Sequence, residues 1–233
     1  MAQSQGNAKN ILVGASPLFL TVDDSTVTGY VDNMEPGTAR AGTVGSASTK
    51  VPAYSTSASY TTTLNALDTD AAGGANAAAY RNVGFTNNGL QITYNPTYDS
   101  VTVDQLLDTA KLFKSAMEVM IATEMSEGTL ENTLVVFGQK KATLAAGTLG
   151  LAGGALGEAP TERQLIAVGQ APTTSSPNSE RVYYARRVLS VQQSQFSLAR
   201  TQATTFPVTF RLLPDATYSG SEYGKIIDRT WTA

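Results

Sequence analysis

A glycine-rich stretch is the first segment of this sequence that could take part in chemistry. Residues 147–154 read GTLGLAGG, and glycines in such a loop let backbone N–H groups approach a phosphate. A phosphate-binding loop also needs a Lys followed by Ser or Thr, at the start of a helix. Neither feature follows here, so the stretch is predicted to be a plain flexible loop.

Two acidic pairs and one serine are the next candidates. Asp23 and Asp24, and then Asp68 and Asp70, offer carboxylates to a cation, but their spacing is not that of a calcium-binding loop. Short acidic pairs of this kind are typical of turns and helix caps. Ser16 follows Gly-Ala but lacks the final glycine of a nucleophile elbow. We expect these residues to shape turns rather than to bind or react.

The sequence contains no His and no Cys among its 233 residues. This excludes a histidine-based triad, a histidine general base, histidine-ligated zinc, thiolate catalysis and disulfides. A Ser–Lys dyad or a pair of carboxylates is the catalytic chemistry that remains open. We therefore predict that the chain is not an enzyme and uses no cofactor and no metal.

The net charge of the chain does not favour binding to nucleic acid or to a membrane. Its net charge is −3 and its pI about 5.0, whereas phosphate neutralisation requires a basic surface. The basic pairs Lys140–Lys141 and Arg186–Arg187 form no basic patch, because neighbouring residues on a strand face opposite ways. One member of each pair is expected at the surface and the other at a rim or interface.

The ten tyrosines are expected to lie in the core, at its rim and at contacts between subunits. No segment approaches the roughly 20 apolar residues that span a bilayer.

The composition favours a mainly β protein with long polar loops. Hydrophobic residues make up 42% of the chain and charged residues 15%, which is low for a helical bundle. Many short apolar runs predict a β-sandwich or barrel with one short α-helix at about 127–137. Ser126 or Thr129 would cap that helix, Glu127 would lie in its first turn, and Gly138 would end it. Residues 1–233 are predicted to form a single domain with a long low-complexity loop or arm at about 32–79.

Two segments carry stronger local signals. Asn88–Gly89 between apolar runs predicts a β-hairpin, because a type I′ turn needs positive φ at both central positions, and Asn95–Pro96 would close its second strand. Residues 104–125 are ambiguous from their side chains alone. Their composition is that of a helix, yet their hydrophobic residues also alternate as in a strand.

Five blocks in order resemble the major tail tube proteins of long-tailed bacteriophages. They are residues 80–96 (YRNVGFTNNGLQITYNP), 101–105 (VTVDQ), 123–132 (TEMSEGTLEN), 205–215 (TFPVTFRLLPD) and 223–229 (YGKIIDR). With residues 79–138 counted as one stretch, the resemblance covers a third of the chain or somewhat more, and the order of the blocks carries it. The resemblance implies a long strand over 111–125 before the helix.

The resemblance also implies a function. Tail tube proteins form hexameric rings whose inner strands close into a β-barrel, and the rings stack into a tube that delivers DNA to the host. The implied partners are further copies of the chain, the tape measure protein and the tail terminator, with DNA in transit; the implied location is the virion tail, and the host cytoplasm during assembly. The long loop would reach a neighbouring ring through its apolar anchors, which are Val44, Val51, Tyr54 and Tyr60.

The parity of residues 111–125 suggests which side chains line the channel. Glu118 and Glu124 alternate out of phase with the apolar residues, and a neutral or acidic wall lets phosphate slide. We predict that both carboxylates face the lumen and that Lys114 locally offsets their negative charge. The competing interpretation places Glu118 and Glu124 at subunit contacts.

Three other functions fit parts of the sequence. A capsid decoration protein, or a tail terminator or completion ring, would share this composition and lack of chemistry. A carbohydrate-binding β-sandwich should cluster aromatic residues, and the sole tryptophan, Trp231, lies near the C-terminus. An enzyme with a Ser–Lys or paired-carboxylate site is the last alternative.

Overall fold

The chain is mainly β with one short helix in a computed structural model, which describes residues 18–21, 80–104, 108–140, 143–145, 147–158, 160–172, 179–191, 195–196, 198 and 203–230. The elements are β1 (Leu18–Thr21), β2 (Tyr80–Asn82), β3 (Thr86–Thr102), β4 (Thr109–Met125), α1 (Leu130–Val136), β5 (Leu144–Ala145), β6 (Thr148–Leu149), β7 (Arg163–Gln170), β8 (Ser179–Ser190), β9 (Phe206–Leu212) and β10 (Gly224–Thr230). No helix in this part of the chain is long and apolar enough to cross a membrane.

One antiparallel sheet contains all the strands except the short β5–β6 hairpin. Its order is β2-β1-β7-β8-β9-β4-β3. Strand β8 also pairs with β10, through residues 179–185, while β9 pairs with residues 188–190 of β8. Strands β10 and β9 thus pair with consecutive parts of the same edge of β8. Strand β3 lies at one edge of the sheet.

The core follows from the alternation of apolar side chains along the strands. Strand β9 is the clearest case, since Phe206, Val208, Phe210 and Leu212 are buried and the residues between them are not. These side chains form one cluster with buried residues of β1, β4, β7, β8 and helix α1. Pro207 is the second residue of β9, a position near the start of a strand where proline is tolerated.

Helix α1 is shorter than the predicted 127–137. Thr129 is its N-cap and accepts a hydrogen bond from Asn132 N at 3.2 Å. Glu127 lies before the helix instead of in its first turn, because its carboxylate accepts from Phe85 N at 3.0 Å. Gly138 ends the helix with φ 63°, as predicted; the N–H groups of Gly138 and Gln139 bond back to Val135 and Leu134, which is a Schellman motif.

The predicted hairpin at Asn88–Gly89 is wrong, although the predicted backbone is right. Both residues have positive φ, at 60° and 67°. The chain nevertheless continues along β4, since Asn87 pairs with Glu124 and Gln91 with Ala122. Residues 88–90 therefore form a bulge opposite Thr123, whose hydroxyl donates to Gly89 O at 2.9 Å.

Residues 109–125 are extended and not helical. Strand β4 covers Thr109–Met125, which confirms the extended segment implied by the resemblance. Asn95–Pro96 does not close a strand, because β3 continues to Thr102 and Pro96 pairs with Met117. Pro96 is tolerated there because β3 is an edge strand. The predicted loop at 32–79 lies outside the described residues.

Candidate interaction surface

The outer half of the β3–β4 hairpin is exposed on both faces. We call this part, residues 97–102 paired with 109–116, the ribbon; every one of these residues is exposed. Strand β9 pairs with β4 only over residues 120–125, so no other described strand lies beside the ribbon. A two-stranded ribbon is at best marginally stable in water. The ribbon is therefore the part of the sheet that has no third strand to support it within the described residues.

The ribbon carries large apolar side chains into solvent. They are Tyr98, Val101, Leu112 and Phe113. Leu112 is 65% exposed and Tyr98 58%, and the register places them diagonally on one face, since Tyr98 pairs with Lys114 and Ser100 with Leu112. Large apolar side chains clustered on one projection are typical of an interaction site.

A bulge at Ser115 reverses the faces of β4. Thr97 pairs with Ala116, but Tyr98 pairs with Lys114, so Ser115 is an extra residue and the alternation shifts by one. Lys114 therefore lies with Met117 and Tyr94, its Nζ 3.4 Å from the Tyr94 hydroxyl. The prediction that Lys114 shares a face with Glu118 and Glu124 is wrong, because simple parity does not hold across a bulge.

Glu118 and Glu124 do share the face of β4 that points away from the core. Val119, Ile121, Thr123 and Met125 are buried on the other face. Glu118 Oε1 lies 3.6 Å from Nε of Arg211 on β9, and Glu124 accepts a hydrogen bond from Asn87 at 3.4 Å. The two carboxylates are half-exposed on a polar sheet face. That this face lines a channel stays a prediction.

A groove of about 600 Å³ opens at the base of the ribbon. One wall is the core-side face of β3 and β4 next to the ribbon, and the other is β10 with the loop before it. Its apolar lining includes Ile92, Tyr94, Met117, Tyr223 and Ile226, and its charged lining Lys114, Glu222 and Lys225. Ile226 is 66% exposed, so this concave apolar surface is open to solvent.

Arg186 fixes the loop that forms the second wall. It is 2% exposed, its guanidinium lies 3.7 Å from the centroid of the Tyr218 ring, and its Nε donates to Ser221 O at 3.0 Å. Arg187 instead forms a two-bond ion pair with Glu162. The prediction of a surface and an interface arginine is wrong for Arg186, which is buried within the subunit. Lys140 lies at the surface and pairs with Glu158.

Strand β10 is held on β8 by a cross-strand ion pair. Arg181 lies opposite Asp228 and binds its carboxylate through hydrogen bonds of 2.5 and 2.7 Å. The Arg181 guanidinium holds the pKa of the Asp228 carboxyl below its ordinary value of 3.8. The pair keeps β10, and with it one wall of the groove, in register.

This pair predicts a pH dependence of stability. Near neutral pH we expect Asp228→Asn to lower the free energy of unfolding by up to about 1 kcal/mol, since the pair is partly exposed. The folded-state pKa is below the unfolded one, so this stabilisation is complete above the unfolded pKa and is lost as pH falls through the folded value. Urea denaturation at a series of pH values should therefore show the difference from wild type constant above about pH 5 and shrinking below it. Asp104 is an exposed turn residue that forms no ion pair within the described part of the chain, so Asp104→Asn should give a difference near zero throughout. A pH-independent Asp228→Asn effect would contradict the prediction.

Of the glycine-rich stretch, the acidic pairs and Ser16, the structure describes only the glycine-rich stretch. Gly147 lies in the turn of the β5–β6 hairpin with φ 79°, and residues 150–158 contain no regular element. Within the described ranges no group of three or more Asp or Glu could hold a metal ion. Outside those ranges lie Ser16, Asp23, Asp24, Asp68, Asp70, Lys141 and Trp231, and the predicted ring-stacking residues Val44, Val51, Tyr54 and Tyr60.

Sequence reasoning missed the ribbon and the groove. The sequence predicted that residues 104–125 are either helical or extended, but not that part of this segment projects from the sheet. The run of apolar residues at 112–113 interrupts strict alternation and is a signal that both faces of a strand meet apolar surroundings. The chain matches no protein-family model and no curated protein.

Proposed function

We propose that this chain is a structural subunit that self-assembles into stacked hexameric rings, which form the hollow tail tube of a long-tailed bacteriophage. The exposed ribbon is the observation that supports this proposal most. An isolated subunit leaves Tyr98, Val101, Leu112 and Phe113 in water, and burial of each large side chain on assembly is worth about 1.5–3 kcal/mol.

The sheet offers edges for such an assembly. Strand β3 is an edge strand of the sheet. Strand β9 pairs with β4 only over residues 120–125, so the described strands leave both edges of the ribbon open. Unpaired backbone groups on an edge form ladder hydrogen bonds with a strand of another subunit. When each subunit joins the next through two different surfaces, the result is a closed ring or a helical filament.

The polar face of β4 is the surface that we place on the channel. It carries Glu118 and Glu124, with Arg211 close to the former. A wall with an excess of carboxylates repels the phosphate backbone and lets DNA pass without holding it. In the assembled tail, the tape measure protein and the tail terminator would be the other partners.

Electron microscopy of the purified protein in negative stain, over a concentration series, tests this function. We expect six-fold rings with an open centre, and hollow tubes at higher concentration, because assembly follows mass action. Rings that never stack would favour a terminator or completion ring. Monomers at every concentration, also in the presence of pre-formed tail initiation complexes, would contradict the proposal.

A further inference from the structure

We propose that the ribbon of one copy docks into the groove of the next copy, with Leu112 and Tyr98 in contact with the apolar lining near Ile226. This inference rests on the proposed self-assembly and adds the two surfaces that meet. A groove of about 600 Å³ is in the size range that buries a drug-sized ligand, which is also the scale of a few large side chains.

The ribbon cannot fill the groove of its own subunit. The groove opens at the base of the ribbon, since Tyr94 and Lys114 line it, and the ribbon extends from there towards Thr102 and Thr109. Six residue pairs of antiparallel strand span roughly 20 Å. The tip therefore points away from its own groove, so the ribbon of the same subunit does not occupy it.

The charges of the two surfaces complement each other. The groove carries Lys114 and Lys225 against the single carboxylate of Glu222. The ribbon and its described turn carry the three carboxylates of Asp99, Asp104 and Asp108 against the two ammonium groups of Lys111 and Lys114. A net negative projection thus meets a net positive groove, and such pairing steers association and fixes its register.

A second copy is the occupant because one chain presents both halves of the contact. The exposed apolar projection and the exposed apolar concavity lie on different parts of the same surface, so the contact is heterologous. Repeating it adds each subunit to the last in one direction, and a suitable rotation closes the chain of subunits into a ring.

Cysteine cross-linking tests the contact without background, since the chain has no cysteine. Leu112→Cys and Ile226→Cys are made as separate variants, one with a mass tag, mixed under assembly conditions and treated with a short bis-maleimide. We expect a heterodimer at least about tenfold above the control, because docked thiols react at high effective concentration. The control replaces Ile226→Cys with Leu156→Cys, a fully exposed position outside the groove.

The outcomes separate this contact from the function. Rings or tubes in the microscope with no more heterodimer than in the control would overturn the contact and leave self-assembly in place. A homodimer of Leu112→Cys alone, as strong as the mixed product, would replace the head-to-tail contact with a symmetric one. The absence of any assembled particle would overturn the contact and the proposed function together.

Discussion

Replacement of Gly224 with alanine is expected to lower the free energy of unfolding by about 3–5 kcal/mol. Gly224 begins β10 with φ 149°, a conformation that L-residues rarely adopt. A Cβ atom there would lie 1.9 Å from the carbonyl oxygen of Tyr184 and 3.0 Å from Cα of Ala185. Both are backbone atoms of β8, so they cannot move aside without breaking the β8–β10 ladder that starts at this residue.

Urea denaturation measures this loss, with two glycines as controls. Gly153→Ala has open space around it and no positive φ, so the expected change is within about 0.5 kcal/mol. Gly220→Ala also has open space but a φ of +81°, and should show only the backbone strain of about 1 kcal/mol. Equal losses for Gly224→Ala and Gly220→Ala would show that the contact with Tyr184 adds nothing.

Local patterns in the sequence predict local structure well in this chain. Strand β9 follows from strict alternation, and the cap at Thr129 and the left-handed Gly138 follow from side-chain chemistry that acts within a few residues. The split of Val119 and Ile121 from Glu118 and Glu124 also follows from the period of a strand. In each case the determining interactions lie inside the segment.

The errors arise where a second strand decides the outcome. Asn88–Gly89 has the backbone of a hairpin turn, but the ladder to β4 resumes at Gln91 and makes it a bulge. Ser115 carries no sequence signal of a bulge, yet it moves Lys114 to the face opposite Glu118. Register between strands depends on partners far away in the sequence, and one extra residue reverses every side chain beyond it.

The candidate interaction surface could not be predicted from the sequence for the same reason. Arg186 is adjacent to Arg187 in the sequence, yet only the position of Tyr218 and Ser221 shows that it is buried and fixes a loop. The groove combines residues of the β3–β4 hairpin with residues of β10 and the loop before it, which lie far along the chain from that hairpin. When the side chains of a concave surface come from distant segments, they have no characteristic spacing in the sequence from which the surface could be predicted.

Replacement of two apolar side chains of the ribbon should weaken assembly strongly without unfolding the subunit. In the double variant Leu112→Ser/Phe113→Ser, we expect the concentration needed for rings or tubes to rise at least about tenfold to a hundredfold. Full burial of an exposed large side chain contributes about 1.5–3 kcal/mol. Leu112 and Phe113 are only about half exposed in the subunit, so the two together have about 1.5–3 kcal/mol to gain, and each 1.4 kcal/mol is tenfold. Thermal stability of the subunit should change little, because both side chains are already exposed in it.

The matched control is Leu151→Ser/Leu156→Ser, which removes two exposed apolar side chains outside the ribbon and the groove. Sedimentation across a concentration series compares the two variants with wild type. If the loss of assembly came from a general fall in surface hydrophobicity, both double variants would shift the threshold equally. A shift in the ribbon variant alone assigns the contact to the ribbon, whereas wild-type assembly by that variant would mean that its exposed side chains take no part. Because the ribbon projects beyond the core, its effect on assembly can be separated from folding, which is not so for any of the buried strands.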